Sequence, residues 1–130
     1  QAFEECVSLE QVPIYSQLIK SINIKTFYNC YALKQIIIPP SVTSIDSLAF
    51  GNCSSLTEVS FPDSLAIIKT EAFYQCHMLK KVVIHNQNIQ IEKDAFYHRI
   101  KIIVGEKNYI PKPDKGVGAH FTFHFFSANF

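Results

Sequence analysis

The chain has 130 residues, about the length of one domain and too short for an enzyme with a separate cofactor domain. Hydrophobic residues make up 48% of the chain and charged residues 18%, a balance that excludes an intrinsically disordered protein. No apolar run approaches the roughly 20 residues that a membrane span needs, and the net charge of +1 excludes a uniformly basic nucleic-acid binder. We therefore expect one folded domain without a membrane span or a nucleic-acid partner.

Several residue types recur along the chain with one period. The cysteines, Cys6, Cys30, Cys53 and Cys76, are separated by 24, 23 and 23 residues. Three apolar columns keep nearly the same spacing: Phe3, Phe27, Phe50, Phe73 and Phe96; Leu9, Leu33, Leu56 and Leu79; and Ile22, Ile45, Ile68 and Ile91. A fixed period between about 20 and 50 residues is typical of a solenoid, in which each repeat is one turn of chain stacked on the next.

Within one unit the predicted elements follow in a fixed order. Alternating Ile36 and Ile38 predict a strand whose every second side chain points inward, and Pro39 ends it. Residues 42–45 predict a second short extended segment. Apolar residues at every third position of residues 49–56 predict one short helical or 3₁₀ turn. The sequence therefore predicts about four to five turns with short parallel strands on two faces.

These units carry a family resemblance. Residues 33–56 follow the pattern L-x-x-I-x-I-P-x-S-V-x-x-I-x-x-x-A-F-x-x-C-x-x-L, and over about residues 2–97 the chain resembles the BspA-like leucine-rich repeat proteins. The first unit departs from the pattern at Tyr15 and Thr26, and the last departs at Arg99. The resemblance implies a β-rich leucine-rich-repeat solenoid. It also implies a surface or secreted protein, because the best-known activity of this branch is adhesion to host or matrix proteins.

The repeats divide the chain into three predicted regions. Residue 2 already stands at the Ala-Phe position of a unit, so the first turn is incomplete and we expect a fragment of a longer protein. The mostly apolar run from Ile100 to Val104 predicts a final strand before Gly105, which places the solenoid at 1–104 with a degenerate last turn. Proline and glycine in residues 111–118 predict a linker over 105–118.

The third region, 119–130, is predicted to be a Phe-rich C-terminal strand or cap. Phe121, Phe123 and Phe125 alternate with polar residues, which is the pattern of an amphipathic strand. One interpretation is that this strand folds back as a lid over the open end of the solenoid or over an edge. The alternative is an exposed aromatic tail that binds a partner or aggregates. Self-association through the solenoid ends or this tail is thus one candidate interaction.

The cysteines are interpreted as a column of reduced, buried thiols. Equivalent residues on successive turns lie about 4.8 Å apart, but their side chains point in parallel, whereas the Cβ atoms of a disulfide converge. The sequence contains no ligand pair at a zinc-binding spacing and no catalytic motif such as GxSxG or HExxH. We therefore expect no metal, no cofactor and no enzymatic activity.

The candidate protein-binding surface lies between the inward positions, where residues of successive turns form outward columns. It comprises outward strand positions and the tyrosines after the repeat phenylalanines: Gln35, Ile37, Glu58, Ser60, Lys81, Val83, Tyr28, Tyr74 and Tyr97. Tyrosine is favoured at protein interfaces because its rigid apolar ring ends in a polar group. The alternative is that these rings cover the turns and pack on one another.

Charged residues are distributed unevenly between the two ends of the repeat region. Residues 1–79 contain four lysines and seven acids, whereas residues 80–115 contain eight lysine or arginine residues and four acids. This asymmetry would steer an acidic partner to the C-terminal turns, unless the lysines form only a solvated rim. We predict a non-enzymatic protein–protein interaction module, with adhesion or host- or matrix-protein binding implied by the resemblance. The alternatives are an intracellular leucine-rich-repeat scaffold and a structural spacer.

Overall fold

The computed structural model describes residues 11–12, 18–97, 100–104 and 121–124. These residues form ten short strands: β1 (Gln11–Val12), β2 (Ser21–Ile22), β3 (Gln35–Ile37), β4 (Ser44–Ile45), β5 (Glu58–Ser60), β6 (Ile67–Ile68), β7 (Lys81–Ile84), β8 (Gln90–Ile91), β9 (Ile100–Val104) and β10 (Phe121–His124). Every strand pairing is parallel, so the chain makes a full turn between one strand and its partner.

The strands alternate between two faces. The short-strand face consists of β2, β4, β6 and β8. The long-strand face consists of β1, β3, β5, β7, β9 and β10, and its ladder is divided into a group ending at β5 and a group beginning at β7. Ile36 pairs with Val59 on the long-strand face, and Ile45 pairs with Ile68 on the short-strand face. Each residue therefore lies over its equivalent in the preceding repeat, and the predicted parallel-strand solenoid is confirmed.

A stack of phenylalanine rings occupies the core between the two faces. The centroids of Phe27 and Phe50 are 5.1 Å apart, and the next two steps, to Phe73 and then Phe96, are 5.0 Å each. The rings are within 10° of parallel. Their spacing matches the roughly 4.8 Å between neighbouring strands, so one ring per turn stacks through the interior.

The third side of the solenoid, the turn side, is made of linked turns. The Cys30 N–H bonds to the Phe27 carbonyl, and the Leu33 N–H bonds to the Cys30 carbonyl, both at 3.2 Å. Residues with positive φ interrupt such turns at regular intervals: Lys25, Asn29, Leu48, Asn52, Glu71, Gln75 and Asp94. A left-handed residue does not continue a right-handed helix. The described residues therefore contain turns where the sequence predicted a short helix or 3₁₀ segment.

Backbone hydrogen bonds also connect successive turns on the turn side. The N–H of each repeat phenylalanine donates to the alanine carbonyl of the following turn at 2.8 Å: Phe27 to Ala49, Phe50 to Ala72 and Phe73 to Ala95. Backbone bonding therefore runs between turns on all three sides, which satisfies polar groups next to the core and fixes the spacing of the columns.

The C-terminal strand β10 continues the long-strand face beyond β9. Phe121 is paired with Ile100 and His124 with Ile103, in parallel. A strand was expected within residues 119–130, and the structure has it at Phe121–His124. Residues 105–120, which include the predicted linker, and residues 125–130 lie outside the described residues.

Candidate functional site

Six of the predicted site residues come together on the long-strand face. They are the outward positions of three neighbouring strands: Gln35 and Ile37 of β3, Glu58 and Ser60 of β5, and Lys81 and Val83 of β7. The residue between each pair is buried, because side chains alternate across a strand. All six line one groove of about 450 Å³. The fold thus converts scattered sequence positions into one continuous surface.

The groove is bordered by two columns that differ in chemistry. The polar column is Gln35, Glu58 and Lys81, and the apolar column is Ile37, Ser60 and Val83. Lys101 and Ile103 of β9 continue the two columns beyond the groove. Ile37 is 72% exposed, so most of its aliphatic side chain is in contact with water. Large apolar groups held in water beside charged groups are typical of interaction surfaces.

Sequence reasoning missed three residues of this surface: His85, Lys101 and Ile103. Lys101 pairs with Lys81 and Ile103 with Val83, which extends both columns onto β9. Lys101 follows Lys81 by 20 residues instead of 23, so counting by the period did not find it. The available signal was the predicted final strand at residues 100–104, because every second residue of a strand lies on the same face. His85 lines the groove just after β7, where earlier repeats have proline.

The groove crosses the division in the long-strand ladder. Glu58–Ser60 and Lys81–Ile84 lie side by side, but no ladder pairing joins these two described segments. Phe61 lines the groove at this point and packs edge-on against Phe73, with centroids 6.0 Å apart. The aromatic core therefore supports the groove where the ladder itself does not.

The three predicted tyrosines lie on the turn side, away from the groove. The Tyr28 ring covers Gly51, and the Lys25 ammonium lies 5.1 Å from its centroid. Tyr74 and Tyr97 pack edge to face with centroids 5.3 Å apart. These contacts correspond to the alternative in which the rings cover the turns and pack on one another. The structure therefore separates the predicted surface into the groove and this tyrosine ridge.

Three buried free cysteines occupy one column: Cys30, Cys53 and Cys76. The Cys53 thiol donates to the Phe27 carbonyl at 3.2 Å, and the Cys76 thiol donates to the Phe50 carbonyl at 3.0 Å. Hydrogen bonding with Cys76, together with burial, raises the pKa of the Cys53 thiol far above its usual range. Cys53 is therefore a structural donor and a poor nucleophile. Cys6 lies outside the described residues.

The described part of the chain contains no group of three His, Cys, Asp or Glu side chains placed to hold a metal ion. These residues also include no helix that is long and apolar enough to cross a membrane.

Comparison with known proteins agrees with the repeat geometry. A family model described as the BspA-type leucine-rich repeat region matches residues 1–103 in six copies. The chain belongs to the BspA-type leucine-rich repeat family. A crystal structure of a leucine-rich repeat protein from Bacteroides ovatus is similar to this BspA-type chain, with a TM-score of 0.59 and 26% sequence identity. The similarity covers 91% of this chain and 30% of that one, so this chain spans less than a third of that relative's length.

No curated protein matches the BspA-type chain. The predicted family resemblance is confirmed, and the family points to a protein-interaction module with nothing that indicates an enzyme. In this BspA-type chain the inward positions stay apolar and build the core, so differences in charge between repeats fall on outward columns such as those bordering the groove.

Proposed function

We propose that this chain is a non-enzymatic binding module that attaches to a host or extracellular-matrix protein through its long-strand face. The observation that carries the proposal is the groove itself, where the exposed Ile37 and the half-buried Val83 lie beside the charged Glu58 and Lys81. Exposed apolar surface with a polar rim is typical of a site that a partner covers on binding. The family supports protein interaction in general, and adhesion at the cell surface is the specific form proposed here.

The backbone of the solenoid suits this task. The outward side chains of β3, β5 and β7 project from short strands whose inward residues are buried in the core. Neighbouring turns are held together by backbone hydrogen bonds on the turn side as well. A face that is already ordered loses little conformational entropy when a partner binds, which leaves more of the contact energy for affinity.

Binding of the purified chain to a panel of purified extracellular-matrix and mucosal proteins tests the proposal. We expect at least one protein to bind, and Ile37→Glu to weaken that binding at least about tenfold, because it places a charge in the apolar column. Ile24→Glu is the matched control, since Ile24 is 54% exposed and does not line the groove.

Equal binding by wild type and Ile37→Glu would contradict the long-strand face as the site. Absence of binding to every protein of the panel would contradict adhesion and favour the spacer interpretation. Thermal unfolding of each variant, followed by circular dichroism, verifies that the solenoid remains folded.

A further inference from the structure

The apolar column contains one short side chain between bulky ones. Ile37 is paired with Ser60, and Val83 is the outward residue one period of 23 later, on the neighbouring strand β7. Ser60 therefore lies between two aliphatic residues on the same face. Neighbouring strands are separated by about 4.8 Å, which places the positions on either side of Ser60 at least about 9.6 Å apart. That separation leaves room for one side chain of a partner. Ile37, Ser60 and Val83 all line the groove, so the depression is part of it.

Positive charge is concentrated on the C-terminal side of this depression. Lys80, Lys81 and Lys101 are exposed, and Lys81 and Lys101 are opposite each other on β7 and β9. In the described chain no carboxylate lies within ion-pair distance of these ammonium groups, whereas Lys69 is 3.4 Å from Asp46. These exposed positive charges are complementary to a partner's carboxylates.

Resting on the proposed function, we infer that the partner protein inserts one apolar side chain over Ser60 and places carboxylates beside Lys81 and Lys101. The partner segment is therefore acidic and apolar at once. The apolar side chain supplies burial against Ile37 and Val83, and the acids set its direction along the solenoid.

A protein segment fits this groove better than a nucleic acid or an acidic glycan. A polyanion would meet the lysines but would leave the aliphatic surface of Ile37, Val83 and Ile103 uncovered. It would also bring negative charge next to Glu58, which precedes Lys81 in the polar column. A peptide that carries acids at one end and an apolar side chain at the other covers the aliphatic surface and keeps its negative charge away from Glu58.

Three short fluorescein-labelled peptides test the inference by fluorescence anisotropy with the full chain. The first has one leucine followed by glutamates at alternate positions, the second has serine in place of leucine, and the third has lysines in place of glutamates. We expect the first to bind and the other two to bind at least about tenfold more weakly. Binding of the first should weaken as salt concentration rises, because the lysines are exposed.

Variants of the groove locate the binding. Ser60→Leu fills the depression and should weaken binding of the first peptide at least about tenfold, whereas its matched control Ser60→Ala should not. Charge reversal at both Lys81 and Lys101 to glutamate should weaken binding by a similar factor. Lys93→Glu is the control for net charge, since Lys93 is exposed and does not line the groove. Circular dichroism verifies that every variant is folded.

Failure of this inference differs from failure of the proposed function. Equal binding of all three peptides, or wild-type affinity in Ser60→Leu, would overturn the acidic and apolar partner. Heparin that binds more tightly than the first peptide, and equally well to Ser60→Leu, would also overturn it in favour of a polyanion. If a matrix protein binds and Ile37→Glu abolishes that binding while the first peptide neither binds nor competes, the inference falls and the proposed function stands.

Discussion

At the scale of single residues, Gly51 makes room for the ring of Tyr28. A Cβ atom at Gly51 would lie 2.7 Å from Cδ1 and 2.8 Å from Cε1 of Tyr28, and 3.2 Å from Cδ2 of Leu48. Gly51 does not have a left-handed backbone conformation. A glycine is needed at this position because a side chain would collide with its neighbours, and not because of the backbone angle φ. The tyrosine of one turn thus requires the absence of a side chain on the next.

Gly51→Ala should therefore destabilise the protein by about 1–3 kcal/mol, the usual cost of forcing an extra methyl group into a packed site. Urea unfolding measures the change. The same substitution in a Tyr28→Ala background should cost clearly less, because the atoms that it meets first are gone. An equal cost in both backgrounds would show that the Tyr28 ring is not the cause.

Cys53 gives a prediction about reactivity and pH. Since its pKa is raised in the folded state by hydrogen bonding with Cys76 and by burial, the native thiol should react with a thiol reagent far more slowly than the unfolded one. The pKa of a cysteine thiol in an unfolded chain is about 8.5. The folded state keeps the proton above that pH, so its contribution to stability is complete below about pH 8.5 and falls as the pH rises.

Cys53→Ser tests this assignment. Serine places a more polar hydroxyl in the buried site, at a cost on the order of 1–3 kcal/mol, and it removes a titrating group. The alkaline loss of stability should therefore be shallower in Cys53→Ser than in wild type. Rapid labelling of Cys53 in the native protein, identified by mass spectrometry, would contradict the buried, hydrogen-bonded thiol.

At the scale of elements, β10 covers the edge of β9. The pairing runs from Phe121 opposite Ile100 to His124 opposite Ile103. Without β10, β9 would present unpaired N–H and C=O groups, and the buried residues Ile100 and Ile102 would lie under the last strand of the solenoid. Exposed strand edges favour association between chains. We therefore propose that the Phe-rich segment serves as a cap.

Deletion of residues 117–130 should lower the melting temperature and promote self-association, because it removes the partner strand of β9. Deletion of 125–130 alone is the matched control, since it leaves β10 in place. Thermal unfolding and analytical ultracentrifugation measure the two effects. If the shorter protein is equally stable and monomeric while the full chain oligomerises, the segment is an adhesive tail and not a cap.

At the scale of the whole molecule, the solenoid is a stack in which each turn is stabilised by its neighbours. Phe50 is fully buried and stacks on Phe27 on one side and on Phe73 on the other. A cavity at a central turn therefore weakens two interfaces at once. In the described part of the chain, about four turns at roughly 4.8 Å form a stack only about 19 Å long, so no distant part of the core compensates.

Phe50→Ala should accordingly destabilise the protein by roughly 3–5 kcal/mol, which is enough to unfold a large fraction of the whole solenoid. Tyr31→Ala is the control, because that aromatic side chain is 44% exposed and should cost little. Circular dichroism melting curves compare the two variants. A near-normal melting temperature for Phe50→Ala would contradict the stacked core.

The sequence by itself determined the inward columns, and with them the parallel solenoid and six of the residues that line the groove. The repeat period follows from burial of the inward side chains, because each of them must pack against an apolar equivalent one turn away. Alternation in β3 and β5 then sets which residues point outward. Ile37 and Ser60 could therefore be assigned to one face from their positions alone.

Only the tertiary structure decided the register of β9, the division between β5 and β7, and the backbone of the turns. Lys101 lies opposite Lys81 because of hydrogen-bonded pairing, which a spacing of 20 residues in a degenerate repeat conceals. Leu48 and Glu71 have positive φ although neither residue type favours it. Their N–H groups bond to carbonyls of the following turn, so contacts between turns determine a conformation that local sequence opposes.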